Sequence, residues 1–178
     1  MQITPTSNAV GAEVADVDLR SLSDAELETI LDAWGDHGAL FFRDQDLSPE
    51  EHIAFAERLG PININRFFSP VDGHPQIAEV LKEPDQQRNI GGGWHTDHSY
   101  DIEPAMGSVL LARELPPVGG DTLFSGMGAA YDALSDGFKD MLRDLRAVHS
   151  SRHVFGEGSR GRTGVEDRIG NAELATQD

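Results

Sequence analysis

This chain of 178 residues contains no cysteine. Disulfides, thiolate nucleophiles and cysteine-ligated zinc or iron–sulfur sites are therefore excluded. Any metal site must use nitrogen and oxygen ligands. Basic residues are also scarce. Lys and Arg number 14 against 31 Asp and Glu, a formal net charge of −17. Phosphate backbones and anionic membrane faces are held by Lys and Arg, so neither nucleic acid nor a membrane surface is an expected partner. A local basic pocket for a small anion stays compatible with this balance. No apolar run approaches the roughly 20 residues that span a bilayer. Met1-Gln2-Ile3-Thr4-Pro5 carries no basic stretch followed by an apolar one, the mark of a secretory leader. A soluble cytoplasmic protein is the expectation. The apolar share of 38% is enough for one packed core, and the length suits one domain.

What the chain does have is seven His and many carboxylates, set among readable elements. Ser23 and Glu26 form an S-x-x-E capping box, with Leu22 and Leu27 at the staple positions. Leu27, Ile30, Leu31 and Trp34 then follow helical spacing, and Gly35 and Gly38 close the helix. Ala39 to Phe42 reads as a short strand. A second helix starts at Ser48, with Pro49 at its first position and Glu51 at its third, and stops at Leu59-Gly60-Pro61. Strands are expected over 76–82, 94–98, 107–113 and 121–125, and 146–154 is a weaker strand candidate. Phe138, Met141, Leu142 and Leu145 mark the buried face of a later helix capped by Ser135. Helices early, strands next and helices again fit an α+β fold better than alternating βαβ units.

The segment Trp94-His95-Thr96-Asp97 carries the first chemical signal. In a strand, residues two apart share a face, so His95 and Asp97 would present an imidazole and a carboxylate side by side. These are two of the three ligands of the 2-His-1-carboxylate set that leaves open positions on non-haem Fe(II). The same triplet equally fits a solvated strand end. Gly91-Gly92-Gly93 before it would let a loop approach a site closely.

Further segments stand in a telling order. They are Gly11 to Leu19, His37-Gly38-Ala39-Leu40-Phe41-Phe42-Arg43-Asp44-Gln45 and Phe55-Ala56-Glu57-Arg58-Leu59-Gly60. After the W-H-T-D segment come Leu115 to Phe124, which contains G-G-D-T-L, and Ala129 to Ser135. With them the chain resembles, over essentially its whole length, the taurine dioxygenase/2,4-D dioxygenase (TauD/TfdA) family of Fe(II)- and 2-oxoglutarate-dependent enzymes. The resemblance implies a mostly β double-stranded β-helix, or jelly roll, with flanking helices. It makes His95 and Asp97 iron ligands, and Thr122 the residue whose hydroxyl binds a carboxylate of 2-oxoglutarate. Retention of Asp97 favours hydroxylation over halogenation. The implied reaction consumes O2 and 2-oxoglutarate and gives succinate, CO2 and a hydroxylated small, anionic molecule: a sulfonate, a sulfate ester or a carboxylate.

The substrate side departs from the taurine-cleaving pattern. Where those members carry a His, this chain offers Asn63 and Asn65, and where they carry an Asn it has Gly91. Taurine is therefore disfavoured. Asn65, His98, Tyr100 and Phe155 are the candidate substrate contacts, and Phe155 matches a family aromatic. Arg152, His153 and Arg160 could attract an anion or simply be solvated loop residues. The family's second iron-binding His and its 2-oxoglutarate-binding Arg have no counterpart here. The expectation is thus a single catalytic domain over 1–178 that lacks the C-terminal third of the fold. Alone it would be inactive, and at full length it would be a homo-oligomer, dimer or tetramer. The competing reading is a non-catalytic remnant or interaction module of the same fold. A zinc hydrolase is less favoured, since no H-E-x-x-H is present.

Overall fold

A computed structural model describes residues 1–65, 68–84 and 91–151. The described residues form two compact units. The first comprises Met1–Leu59 with Leu110–Arg146; the second comprises Gly60–Val109 and the described residues from Ala147 onward.

The first unit begins with two short strands, β1 (Gln2–Pro5) and β2 (Ala12–Ala15), paired antiparallel with Ile3 opposite Val14. Helix α1 (Asp24–His37) then crosses over to β3 (Leu40–Phe42), which pairs parallel to β2 with Glu13 opposite Phe41. The sheet order is β1-β2-β3. A parallel neighbour requires a crossover, and the helix supplies it. One βαβ unit thus stands where the residue pattern had favoured segregated elements. Strands β1 and β2 escape a sequence reading because four residues are too few to establish alternation. Their inward side chains are nevertheless plain in the structure: Ala12 and Val14 are buried while Glu13 and Ala15 are not.

The expected capping box opens α1. Ser23 Oγ accepts from the Glu26 backbone N–H, and the Glu26 carboxylate accepts from the Ser23 N–H at 2.9 Å. The helix runs through Gly35 and ends at Gly38, whose φ of 70° lies in the left-handed region. Helix α2 (Pro49–Leu59) is capped in the same way by Ser48 and Glu51. Both helices bury one side: Ile30 and Ala33 from α1, Phe55 from α2. Phe55 meets Phe42 edge to face at 6.2 Å, and Phe41 meets Phe124 likewise at 5.8 Å. Two side chains staple the loops. Gln45 accepts from the Leu19 N–H and donates to the Val17 carbonyl, while Arg58 donates to the Leu22 carbonyl and to Asp24. Gly11 has φ 96°, and a Cβ there would lie 2.5 Å from Thr6 Oγ1. Only glycine lets that turn close.

Two further helices belong to this unit, α3 (Met127–Asp132) and α4 (Asp136–Leu142), the latter capped by Ser135 as expected. The buried face read from Phe138, Met141 and Leu145 is not buried among the described residues. All three are more than half exposed.

The second unit holds a hairpin, β4 (Pro70–Val71) with β5 (His74–Ala78), turned at Gly73 with φ 75°. The strand expected over 76–82 thus starts and ends earlier. The strands expected over 94–98, 107–113 and 121–125 are absent, and the described part of 146–154 is not strand either. The physical reason is that a strand exists only as part of a hydrogen-bonded ladder. No ladder among the described residues includes these runs, and Leu110 and Leu123 stand exposed. The described strands make a three-stranded and a two-stranded sheet, not a closed jelly roll.

Candidate metal centre

His95 and Asp97 sit in irregular backbone, not in a strand. Their side chains meet all the same: His95 Nε2 lies 3.2 Å from Asp97 Oδ1. The other ring nitrogen, Nδ1, lies 2.7 Å from the Gly93 carbonyl oxygen. A carbonyl can only accept, so Nδ1 carries the proton and donates it to Gly93. Nε2 is then the nitrogen that faces the carboxylate, as an N–H donor in the protonated ring and with a lone pair in the neutral one. A proton or a metal ion between the two atoms holds such a pair together. Ligand atoms about 2.1 Å from one ion, at right angles to each other, lie about 3.0 Å apart. The separation suits two ligands of one divalent cation as well as a simple ion pair, and the Gly93 contact is of the kind that orients an imidazole. Both side chains are open to solvent, His95 at 51% and Asp97 at 64% exposure, which leaves room for further ligands.

Gly91 stands close to the ring. It has φ 69°, and a Cβ on it would lie 3.1 Å from His95 Cε1. The expectation that the glycine run permits close approach is met at this one position.

A second cluster follows immediately. His98 Nδ1 bonds Asp101 Oδ2 at 2.9 Å, and its Nε2 lies 3.4 Å from Asn65 Nδ2. Asn65 Oδ1 accepts from the Phe68 N–H at 3.2 Å. The Tyr100 ring packs against His98 with centroids 5.7 Å apart. Three of the expected substrate contacts, Asn65, His98 and Tyr100, thus come together in one cluster of the second unit. Thr122 lies exposed in the first unit. Phe155, Arg152, His153 and Arg160 lie outside the described residues. Among the described residues no third His or carboxylate joins the pair to make a metal-binding group of three. Sequence reasoning missed Gly93 and Asp101. Asp101 was detectable in principle as the carboxylate three residues after His98, a spacing that closes a turn. Gly93 acts through its carbonyl, which no side-chain pattern reveals.

The family model for the taurine catabolism dioxygenase TauD, TfdA family matches residues 2–173. The chain belongs to this family. It is 37% identical over 151 residues to an (S)-phenoxypropionate/alpha-ketoglutarate-dioxygenase of Sphingobium herbicidovorans, an alignment covering 83% of this chain and 53% of that one. It is 29% identical over 178 residues to an alpha-ketoglutarate-dependent sulfonate dioxygenase of Saccharomyces cerevisiae, covering 94% and 42% respectively. The crystal structure of a taurine dioxygenase from Burkholderia xenovorans superposes with a TM-score of 0.71 at 36% identity, covering 83% of this chain and 52% of that one. The chain spans about half the length of the relatives it matches. No helix among the described residues is long and apolar enough to cross a membrane.

Proposed function

We propose that the protein containing this chain is an Fe(II)- and 2-oxoglutarate-dependent dioxygenase that hydroxylates a small anionic molecule. The single observation that carries the reading is His95 Nε2 facing Asp97 Oδ1 at 3.2 Å, with the other ring nitrogen turned to the Gly93 carbonyl. His95 and Asp97 would hold the iron. When bound, the iron and 2-oxoglutarate together supply the activation of O2, which leaves succinate, CO2 and a hydroxylated product. The chain's own residues position the participants. Thr122 offers a hydroxyl to a 2-oxoglutarate carboxylate. Asn65, His98, Tyr100 and Phe155 are assigned to the substrate side. The third iron ligand, the Arg for 2-oxoglutarate and the remaining strands of a jelly roll are assigned to the length that the relatives have and this chain does not span.

The relatives named above act on a phenoxypropionate and on sulfonates, which supports an anionic substrate. Asn65, in place of a His, argues against taurine. The expectations of a cytoplasmic location and of a dimer or tetramer are tested by fractionation and light scattering on the full-length protein. The function is tested by succinate release from 2-oxoglutarate across sulfonates, sulfate esters, aryloxyacetates and 2-phenoxypropionate. Iron-dependent turnover that His95→Ala and Asp97→Ala both abolish is expected. A full-length protein that consumes no 2-oxoglutarate with any of these, or before and after adding Fe(II) alike, would favour the non-catalytic reading instead.

A further inference from the structure

His98 directly follows Asp97 and adopts a left-handed backbone with φ 53°. For a ring-bearing residue that conformation is uncommon and costs roughly 1 kcal/mol or more. It persists only if its surroundings hold it. Two kinds of contact do so. The Asp101 N–H donates to the His98 carbonyl at 3.0 Å, closing a four-residue turn. Across the same turn the Asp101 carboxylate accepts from His98 Nδ1 at 2.9 Å. A carboxylate has no proton to give, so the ring must donate here, and Nε2 becomes the acceptor. The donor facing it is the Asn65 amide at 3.4 Å, whose own oxygen is turned away by the Phe68 N–H. The result is a hydrogen-bond chain of one polarity, running from Asn65 through His98 to Asp101. Both side chains of its charged half are about four-fifths buried.

We propose that Asp101 is a positioning residue that acts through His98 to hold the Asp97 carboxylate in place for the metal. The inference rests on the reading of His95 and Asp97 as metal ligands and adds residues that touch neither. Asp97 has two backbone neighbours. On the His95 side the chain is tied by the imidazole–Gly93 contact. On the other side, among the described residues, the strained turn at His98 fixes the backbone from which the Asp97 side chain projects. The bond to Asn65 anchors that turn to a segment more than thirty residues away. Removing Asp101 takes one of the imidazole's two hydrogen bonds, lets His98 relax toward ordinary backbone and swings Asp97 away from His95.

Mn(II), titrated alone into the full-length protein by calorimetry, reads this directly without turnover. Asp101→Ala and His98→Gly are each expected to weaken Mn(II) binding about ten-fold, the lower end of what loss of an outer-shell partner costs. Glycine takes the left-handed backbone without strain but does not hold it there, so a loss in His98→Gly reports the ring together with the backbone it fixes. The double variant is expected to lose no more than either single one, since the residues act as one unit. Asp101→Asn keeps an acceptor oxygen and is expected to recover most of the affinity. Unchanged Mn(II) affinity in both single variants overturns the proposal, and so does a multiplicative loss in the double. Failure of both single variants to fold also overturns it, by assigning the bonds to stability alone. His95→Ala separates the two readings. If His95→Ala leaves Mn(II) binding intact, the metal centre itself is misassigned. If it abolishes binding while Asp101→Ala does nothing, only the positioning role falls.

Discussion

At the scale of single residues, the site depends on atoms that carry no chemistry of their own. The Gly93 carbonyl selects which nitrogen of His95 is available, and Gly91 gives the ring the space it occupies. Gly91→Ala is therefore expected to weaken Mn(II) binding by about ten-fold through displacement of the imidazole. It places a methyl 3.1 Å from His95 Cε1 and strains a backbone at φ 69°. Calorimetric titration checks it, with retained cooperative unfolding as the sign that the protein still folds. A second residue-scale effect is electrostatic. The Arg20 side chain bonds both oxygens of Asp18 and, with its backbone N–H, holds that carboxyl at about 2, against an ordinary 3.8. Glu26 is likewise lowered by the Ser23 N–H and hydroxyl. A carboxyl lowered on folding contributes stability above its unfolded value and loses it as pH falls through the folded one. The protein is thus expected to lose melting temperature between about pH 4 and pH 2. Asp18→Asn with Glu26→Gln should flatten that part of the curve in a calorimetric pH series.

At the scale of elements, the N-terminal helices follow from local rules. Ser23→Ala removes the acceptor for the Glu26 N–H and the hydroxyl donor to the Glu26 carboxylate, while the backbone N–H at 23 stays bonded to it. A loss of about 1 kcal/mol is expected in urea unfolding. The same rules explain what was legible in the sequence. Caps at Ser23, Ser48 and Ser135 and stops at Gly38 and Gly60 are decided within four residues, so α1, α2 and α4 could be read directly. Strands are decided by partners far along the chain. Ala12–Ala15 pairs with segments on both sides and is a strand, although its four residues show little pattern. Residues 107–113 and 121–125 look like strands and have no ladder among the described residues. The site was legible in part for the same reason. The pairing of His95 with Asp97 is local and was foreseen, though through an extended backbone that the structure replaces with a bend. The Asn65–His98 contact spans the chain and could not be foreseen from spacing.

At the scale of the whole molecule, burial is uneven. Every buried apolar side chain among the described residues lies between Ala12 and Phe55. Phe55→Ala is expected to cost about 3 kcal/mol, a loss visible in equilibrium unfolding, because Phe55 is 4% exposed and its ring has Phe42 as an edge-on partner. Amides of β2, α1 and α2 should be the slowest to exchange with deuterium, and those of 107–125 among the fastest, in a mass-spectrometric time course.

This concentration bears on how the protein is born. The antiparallel pair, the crossover helix and the second helix all close contacts over short stretches of chain, and they are complete once Leu59 has left the ribosome. A nascent chain folds from its N-terminus as it emerges, at roughly 5–20 residues each second. The N-terminal sheet and its two helices can thus settle while the segment that carries His95 and Asp97 is still being translated.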